Sequence, residues 1–269
     1  MRQIWGFGVT QTLIFFAAAW SAYAQTPTVA QGGVLNAANG ISPVTPGSLV
    51  SIYGTNLAAG LAQADSIPLS PLLNNVSVTL NGIPAPLQFV SSGQINAQVP
   101  WNVLSSGTTG TASVVVKNNG NSSAPQNVQV GPFSPGIFTI GSIGVAINNS
   151  DGTVAAPVGA IAGITTHPAK ISDPLGLAIW CTGLGAVDTA IANGANSLDT
   201  LRTVTTLPQV LVGGKATTVV WAGLTPQFPG VNQINITLPP GTPTGDAVSL
   251  QIVVGGITTA STVTIAIQN

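Results

Sequence analysis

A short strand motif that occurs twice limits what this chain can fold into. Residues 94–99 (QINAQV) alternate polar and apolar side chains, and residues 233–238 (QINITL) repeat that alternation with the same Gln-Ile-Asn start. A period of two places the apolar side chains on one face of a β-strand and the amides on the other. Because the motif recurs in a similar setting, with a proline after each copy, it predicts a repeated β-domain.

The segments around the motif also recur, in the same order. Val76 to Leu80 alternate and lead into Asn81-Gly82, a pair typical of a tight hairpin turn. Three further pairs of segments align: 50–57 with 177–184, 76–85 with 210–216, and 111–116 with 247–254. Short strands with a turn signal about every ten residues are typical of sandwiches. The sequence therefore predicts an all-β fold of two tandem β-sandwich domains, at 34–130 and 131–269.

The first 24 residues have the pattern of a secretory signal peptide. Arg2 precedes an apolar run, and Ala22-Tyr23-Ala24 provides a small-x-small cleavage site. We therefore expect cleavage after Ala24 and a flexible lead over residues 25–33. No later apolar run approaches the roughly 20 residues of a membrane-spanning helix, so no transmembrane segment is expected after cleavage. The expected destination is extracellular or the cell surface, with the periplasm as the alternative.

The composition argues against several classes of function. Charged residues make up only 4% of the chain, and the acidic residues are all aspartate. After the signal peptide the basic residues are Lys117, Lys170, Arg202 and Lys215. So few cations cannot neutralise a run of phosphates, which excludes a nucleic-acid partner.

Catalytic and metal-binding patterns are missing from the sequence. It has one histidine, His167, and one cysteine, Cys181, which is too few for a zinc cluster. It also lacks the Gly-x-Ser-x-Gly elbow of a serine-histidine-acid triad. Asp151 precedes a glycine and is interpreted as a hairpin turn rather than a calcium ligand. Cys181 lies in an alternating strand and is interpreted as a small buried hydrophobe rather than a nucleophile or an intermolecular bridge. We expect no enzyme, and no catalytic, cofactor-binding or metal-binding residue.

The longer motifs resemble a known family. They are NAANG at 36–40, PGSLVSIYGTNLA at 46–58, NNVSVTLNGIPAPLQFVSSGQINAQVPWNV at 74–103, SPGIFT at 134–139, NNSDGTV at 148–154, IWCTGLGAVD at 179–188, and the stretch from 210 to 256. In this order they resemble the uncharacterised C-terminal domain family of Solibacter and other acidobacteria. The strand before Gly-Thr-Asn-Leu or Thr-Gly-Leu also resembles the start of an IPT/TIG domain. The resemblance implies a secreted immunoglobulin-like module and transfers no catalytic residue.

The aromatic residues supply the candidates for ligand binding. Tyr53 and Trp180 occupy equivalent strand positions and are expected to pack in the core. Trp101 and Trp221 lie at a strand end and before a turn. They are interpreted as residues that cap the core, with an exposed sugar-binding surface as the alternative. The expected function is a non-enzymatic interaction or structural module that acts by surface contact in adhesion or assembly. Its partner would be a protein or a polysaccharide at the cell surface, with self-association also open. Carbohydrate binding through Trp101 and Trp221 is the alternative.

Overall fold

The computed structural model describes residues 25–260 and 262–269. The predicted signal peptide, residues 1–24, lies outside the described residues. Within the described part all regular secondary structure is β-strand. That part also contains no helix that could cross a membrane.

The strands of the first half run from Thr28 to Val130. They are β1 (Thr28–Asn36), β2 (Leu49–Thr55), β3 (Ala62–Gln63), β4 (Leu72–Leu73), β5 (Val76–Leu80), β6 (Ile83–Pro84), β7 (Leu87–Val90), β8 (Gln94–Gln98), β9 (Gly110–Asn118), β10 (Asn121–Ser122) and β11 (Gln126–Val130).

The strands of the second half run from Gly136 to Gln268. They are β12 (Gly136–Ile137), β13 (Thr139–Ile140), β14 (Ile143–Gly144), β15 (Ala146–Asn148), β16 (Ala169–Lys170), β17 (Leu177–Thr182), β18 (Gln209–Val212), β19 (Lys215–Ala216), β20 (Thr218–Leu224), β21 (Asn232–Thr237), β22 (Gly245–Val254), β23 (Ile257–Thr258) and β24 (Thr264–Gln268).

Each half is a two-sheet sandwich. In the N-terminal sandwich, sheet I has the order β1-β2-β8-β7-β3, and sheet II has the order β10-β9-β5-β4 with β11 on β9 and β6 on β5. In the C-terminal sandwich, sheet III has the order β12-β17-β21-β20 with β15 on β17. Sheet IV has the order β13-β14-β24-β22-β18-β19, with β16 on β24 and β23 on β22. The predicted all-β, immunoglobulin-like sandwich fold is confirmed.

The central strands confirm the correspondence predicted from the repeated segments. β2, β8 and β7 are neighbours in sheet I, as β17, β21 and β20 are in sheet III. β5 pairs with β9 in sheet II, and β18 pairs with β22 in sheet IV. Even an irregularity recurs, because the register shifts by one residue between Leu87 and Phe89 and again between Val219 and Trp221. A bulge at the same place in both sheets turns the following side chain to the outer face.

Two separate apolar cores form between the sheets. One cluster of buried residues runs from Val29 to Val130, and another from Ile137 to Ile267. The alternating residues of the Gln-Ile-Asn strands contribute to both, since Ile95 and Ile234 are fully buried. The gap between the two clusters is consistent with a domain boundary near residue 131. The domain limits 34–130 and 131–269 stay a prediction.

The hairpin turns follow the sequence signals. Asn81 and Gly82 have φ values of 51° and 78°, and Gly213 and Gly214, at the corresponding turn, have 58° and 77°. Positive φ at both central residues defines the turn whose twist matches the flanking strands, and Asn and Gly adopt it at the least cost. The side-chain Oδ1 of Asn81 also accepts a hydrogen bond from the N–H of Ser113 at 2.8 Å.

The flexible lead predicted over residues 25–33 is wrong for most of its length. Thr28–Asn36 forms β1, which pairs antiparallel with β2 and buries Val29 and Val34. The segment is polar in sequence, but the exposed backbone edge of β2 supplies hydrogen-bond partners that a polar strand can use as well as an apolar one.

The two sandwiches are joined by buried hydrogen bonds. Thr182 Oγ1 accepts from the N–H of Leu49 at 3.1 Å and donates to the carbonyl of Gly230 at 2.7 Å. Asn36 Nδ2 donates to the carbonyl of Ser134 at 2.7 Å. The bond between Leu49 on β2 and Thr182 on β17 connects sheet I to sheet III directly, so the interface positions one sandwich on the other.

Candidate functional site: the aromatic-amide rows and the inter-sandwich cavity

The outer face of sheet III carries two tryptophans around a pair of amides. Trp180 on β17 lies opposite Gln233 on β21, and Trp221 on β20 lies opposite Asn235. The Trp221 ring covers Gly223, where a Cβ would overlap the ring, and Gly223 is the other neighbour of Gln233. Gln233 is therefore flanked by one tryptophan on each side. We call Trp180, Trp221, Gln233 and Asn235 the C-terminal aromatic-amide row.

The outer face of sheet I repeats this arrangement. Tyr53 on β2 lies opposite Gln94 on β8, and Phe89 on β7 lies opposite Asn96. Each residue occupies the strand position of its counterpart in the C-terminal row. We call Tyr53, Phe89, Gln94 and Asn96 the N-terminal aromatic-amide row.

One hydrogen bond orients the amides of both rows. Gln94 Nε2 donates to Asn96 Oδ1 at 2.7 Å, and Gln233 Nε2 donates to Asn235 Oδ1 at 2.8 Å. Within the described chain, Gln Oε1 and Asn Nδ2 of each pair have no hydrogen-bond partner. Neither atom is fully buried. Each row therefore offers a ligand one acceptor and one donor in fixed positions, next to aromatic rings.

The prediction that Tyr53 and Trp180 pack in the core is wrong. Tyr53 is 41% exposed, and Trp180 is half-buried on the outer face, where its ring lies 5.2 Å from that of Phe228 between centroids. Core positions of β2 and β17 belong to the alternate residues, including Ile52 and Ile179. The two aromatic residues are equivalent, as predicted, but they face outward because side chains alternate along a strand.

The two tryptophans named as ligand-binding candidates are both half-buried, and they lie at different places. Trp221 belongs to the C-terminal row, and its Nε1 donates to Thr203 Oγ1 at 3.2 Å. Trp101 follows β8 and lines a cavity of about 330 Å³ between the sandwiches, which Trp221 does not line. Their role in ligand binding stays a prediction.

Trp101 is held where the two sandwiches meet. The backbone N–H of Trp101 donates to Asn193 Oδ1 at 2.8 Å, and Asn193 Nδ2 donates to Asn102 Oδ1 at 3.2 Å. The Trp101 ring lies over Gly47, since a Cβ there would overlap the ring. Backbone, ring and neighbouring loop thus fix the position of this side chain.

Cys181 is a core residue, as the sequence predicted. It is fully buried in the C-terminal core, and burial raises the pKa of its thiol by penalising the charged form. A buried thiol without a nearby cation is a poor nucleophile.

Asp151 forms the turn predicted for it. Its Oδ1 accepts from Thr153 N–H at 2.9 Å and from Thr153 Oγ1 at 2.7 Å, and these bonds, the side-chain one first, lower the pKa of its carboxyl. His167 and Lys170 lie near it around a depression of about 50 Å³. Among the described residues no three His, Cys, Asp or Glu side chains are grouped closely enough to hold a metal ion.

The long connection from Ala186 to Leu207 is organised by Arg202. Its guanidinium makes two bonds to Asp199, of 2.7 and 3.0 Å, and Nε donates to the carbonyl of Ala190 at 3.2 Å. The Arg202 side chain is 7% exposed and that of Asp199 is 66% exposed. The hydrogen bonds from Arg202 hold the pKa of the Asp199 carboxyl at about 2, and we read this pair as a structural clip for the loop.

The first sandwich is similar to a known domain family. Residues 39–130 match the family model of the IPT/TIG domain. This IPT/TIG segment includes β2 to β11, and the match confirms the resemblance of the N-terminal sandwich to that domain. The C-terminal sandwich repeats the order of its central strands.

Two solved structures are similar over most of the chain at low identity. The D00-D0 domain of intimin is 11% identical with a TM-score of 0.22, covering 90% of this chain and 100% of that one. The C-terminal domain of the Streptococcus agalactiae AgI/II polypeptide BspA is 9% identical with a TM-score of 0.18, covering 87% and 97%. No curated protein matches the chain.

Sequence reasoning found the Gln-Ile-Asn strands but not the rows built on them. Phe89 lies five residues before Gln94 and Trp221 lies twelve before Gln233, so spacing along the chain does not show that they are neighbours. The order of the strands could have located these aromatic residues. Both β7 and β20 come directly after one of the two corresponding hairpins, and each pairs with the Gln-Ile-Asn strand of its own sandwich.

Proposed function

We propose that this protein is an exported, non-enzymatic interaction module that works by surface contact at or outside the cell surface, in adhesion or assembly. The observation that carries the proposal is the duplication of the aromatic-amide row on both sandwiches. Two copies with the same hydrogen bond, the same strand positions and the same bulge present two equivalent contact surfaces on one chain. Two linked sites strengthen binding to a repetitive partner through effective concentration.

The chemistry of the rows supports an uncharged partner. Neither row contains a charged residue, and aromatic rings with fixed amides bury apolar area while keeping their hydrogen bonds. A charged partner would lose water at such a surface without gaining an opposite charge. We infer further that the whole chain belongs to the acidobacterial C-terminal domain family whose motifs it carries.

Carbohydrate binding is the second candidate, and the C-terminal row favours it. Trp221 lies over Gly223, and Trp180 lies on the other side of Gln233, so rings and a free amide oxygen occur side by side. Sugar rings present apolar faces to aromatic rings and hydroxyls to amides. On this hypothesis the sugar-binding residues are Trp180 and Trp221, in place of Trp101 and Trp221.

Co-sedimentation separates these possibilities. The purified protein is spun alone and with insoluble neutral polysaccharides such as cellulose and chitin. Pelleting with one polysaccharide supports carbohydrate binding, and ordered particles from the protein alone support assembly. Adhesion to a protein partner is tested in parallel by retention on immobilised surface proteins of the producing cell.

The variants Tyr53→Ala and Trp180→Ala test the rows in whichever assay gives binding. We expect each to weaken binding and the double variant to abolish it. Leu175→Ala is the matched control, because Leu175 is 60% exposed and lies outside both rows. Equal binding by the double variant and the control would show that the rows are not the contact surfaces.

A further inference from the structure

Four asparagines of the chain are each followed by a glycine. They are Asn39, Asn81, Asn119 and Asn193. In such a pair the backbone nitrogen of the glycine can attack the side-chain carbonyl carbon of the asparagine, because glycine has no Cβ to shield that nitrogen or restrict the backbone. This reactivity makes asparagine one of the thermolabile residues. In a folded protein, a pair is protected when its glycine N–H is already hydrogen-bonded and its amide is firmly held.

Asn39 and Gly40 are held at both reacting groups. The N–H of Gly40 donates to the carbonyl of Asn36 at 2.9 Å, so the attacking nitrogen is engaged. The amide of Asn39 is anchored as well, since Nδ2 donates to the carbonyl of Pro135 at 3.0 Å and Oδ1 accepts from the N–H of Ile41 at 3.1 Å. Ring closure would break all three bonds, and this pair is therefore protected.

Asn193 and Gly194 are protected in the same way. The N–H of Gly194 donates to Gln98 Oε1 at 2.7 Å, and Gly194 is buried at the interface between the sandwiches. Asn193 Oδ1 accepts from the backbone N–H of Trp101 at 2.8 Å, and its Nδ2 donates to Asn102 Oδ1 at 3.2 Å. The burial of Gly194 also limits access of the water that the reaction consumes.

The other two pairs differ in how the amide is held. The N–H groups of Gly82 and Gly120 make no hydrogen bond within the described residues, so both attacking nitrogens are unengaged. The amide of Asn81 is nevertheless anchored on the sheet. Its Oδ1 accepts from the N–H of Ser113 at 2.8 Å, and its Nδ2 donates to the carbonyl of Val103 at 3.0 Å. These two bonds must break before the Asn81 side chain can react.

The amide of Asn119 has no such anchor in the backbone of the sheet. Its Nδ2 donates to Oδ1 of the neighbouring Asn118 at 3.0 Å, and within the described residues its Oδ1 accepts no hydrogen bond. Asn119 and Gly120 are both exposed at the tip of the hairpin between β9 and β10. Because β10 has only 2 residues, fraying costs little free energy and lets the turn reach the conformation that ring closure needs.

We propose that Asn119 is a site of spontaneous deamidation, and that in the folded protein it converts ahead of the other three Asn-Gly pairs. The nitrogen of Gly120 forms a bond to Cγ of Asn119 and loses its proton to solvent. The bond from Cγ to Nδ2 breaks, and Nδ2 leaves as ammonia after taking up a proton. Water then opens the resulting succinimide at either carbonyl, which leaves an aspartyl or an isoaspartyl residue at position 119. Water is the only co-reactant, and nothing is oxidised or reduced.

The product carries a negative charge close to Lys117. Asn119, Gly120 and Lys117 line one open depression of about 430 Å³, so the new carboxylate lies on the same surface as the ammonium group. The chain has a formal net charge of −1, and each conversion adds one negative charge to it. None of these residues belongs to an aromatic-amide row, so the inference does not depend on the proposed function.

Peptide mass mapping follows all four pairs at once. The purified protein is aged in mildly alkaline buffer, one portion folded and one in guanidinium chloride, and samples are digested with trypsin. Trypsin cleaves after Lys117, Lys170 and Arg202, so Asn119 and Asn193 fall in different peptides. Fragmentation of each peptide assigns the gain of one mass unit to a single asparagine and separates aspartyl from isoaspartyl products. The ratio of the folded to the denatured rate isolates the effect of the structure at each pair.

The expected result is a single fast site in the folded protein. In denaturant the four pairs should convert at similar rates, because no hydrogen bond protects any of them. In the folded protein Asn119 should convert about tenfold faster than Asn81, the factor that corresponds to one further net hydrogen bond on the Asn81 amide. Asn39 and Asn193 should convert more slowly than Asn81.

Two variants of the site give an independent readout by anion-exchange chromatography. Asn119→Gln should suppress the acidic species that forms on ageing, because glutamine closes the corresponding larger ring slowly. Asn119→Asp carries the charge of the product from the start and should elute with that acidic species. Far-ultraviolet circular dichroism establishes that each variant is folded.

Three outcomes would overturn the proposal. If Asn119 converts no faster than Asn81 in the folded protein, anchoring of the amide does not set the rate. If all four pairs convert in denaturant and none converts in the folded protein, the hairpin stays closed and Asn119 is not a modification site. If Asn119→Gln forms the acidic species as fast as the unaltered protein, the charge arises at another residue.

Discussion

The side-chain Oε1 of Gln98 accepts a hydrogen bond from the backbone N–H of Gly194 at 2.7 Å, across the interface between the two sandwiches. The Nε2 of the same side chain donates to the carbonyl of Gly47 at 3.2 Å. Gln98 occupies the position of Thr237 in the second Gln-Ile-Asn strand. Among the residues that the structure describes, Thr237 makes no comparable bridge across the interface. The two copies of the motif have thus diverged at the residue that connects the domains.

Replacing Gln98 with Ala should loosen this interface. The change leaves the carbonyl of Gly47 and the N–H of Gly194 unpaired at a site where Gln98 is 1% exposed, which should cost about 2–4 kcal/mol of unfolding free energy. Urea unfolding followed by tryptophan fluorescence measures the loss. Gln94→Ala is the control, because Gln94 is half-buried on the outer face and should cost less than about 1 kcal/mol. Equal losses in the two variants would contradict a bridging role for Gln98.

Replacing Gly183 with Ala should be far more damaging than replacing Gly214. Both residues have positive φ, 83° and 77°, so both substitutions carry the strain of about 1–2 kcal/mol for a left-handed residue. Only at Gly183 would the new Cβ collide with the carbonyl of Ser134, while the space around Gly214 is open. We expect Gly214→Ala to fold with a modestly lower melting temperature, and Gly183→Ala to lose several times more stability. Similar melting temperatures for both would contradict the close approach of Gly183 to Ser134.

The Asp199 carboxyl should titrate abnormally because of Arg202. Its pKa of about 2 in the folded protein is below the roughly 3.9 of an unperturbed aspartate, so the pair stabilises the folded loop above about pH 4. This contribution is lost as the pH falls from about 4 to about 2, when the carboxylate is protonated. Carbon-detected NMR of the carboxyl follows the titration. In Arg202→Gln the pKa should rise towards the unperturbed value, and the loop from 186 to 207 should exchange its amide protons faster.

Lys215→Gln is the control for this titration. It removes a positive charge whose Nζ donates to the carbonyl of Pro240 rather than to Asp199, so the pKa of Asp199 should not change. A similar rise of that pKa in both variants would mean that the overall charge, and not the contact with Arg202, sets it. Because Asp199 is largely exposed, added salt should weaken the effect.

Cys181 should be unreactive while the protein is folded. Its side chain is fully buried and burial raises the pKa of the thiol, so at neutral pH neither access nor ionisation favours reaction. Ellman's reagent at pH 8 should give no signal with the native protein and one thiol per chain in denaturant. Fast reaction of the folded protein would show that the strand containing Cys181 opens, which the buried contacts of β17 with β21 argue against.

Much of the architecture could be predicted from local patterns. The alternation in residues 94–99 and 233–238, the Asn81-Gly82 turn and the burial of Cys181 depend on neighbours along one strand, whose geometry has a fixed period. The lead at 25–33 was mispredicted because its strand forms by pairing with β2, and the polar sequence gives no sign of that partner.

The sequence by itself determined an all-β chain of two similar sandwiches with very little charge. Alternation, turn residues and composition are properties of the chain read locally. Only the tertiary structure decided which side chains meet. The register of β8 with β7 and of β21 with β20 places Phe89 and Trp221 beside the amides. The packing of one sandwich on the other creates the cavity beside Trp101. Among the described residues the side-chain hydroxyl of Thr45, which also lines this cavity, has no hydrogen-bond partner. Contacts between residues far apart in the chain depend on register and domain orientation, which no local period encodes.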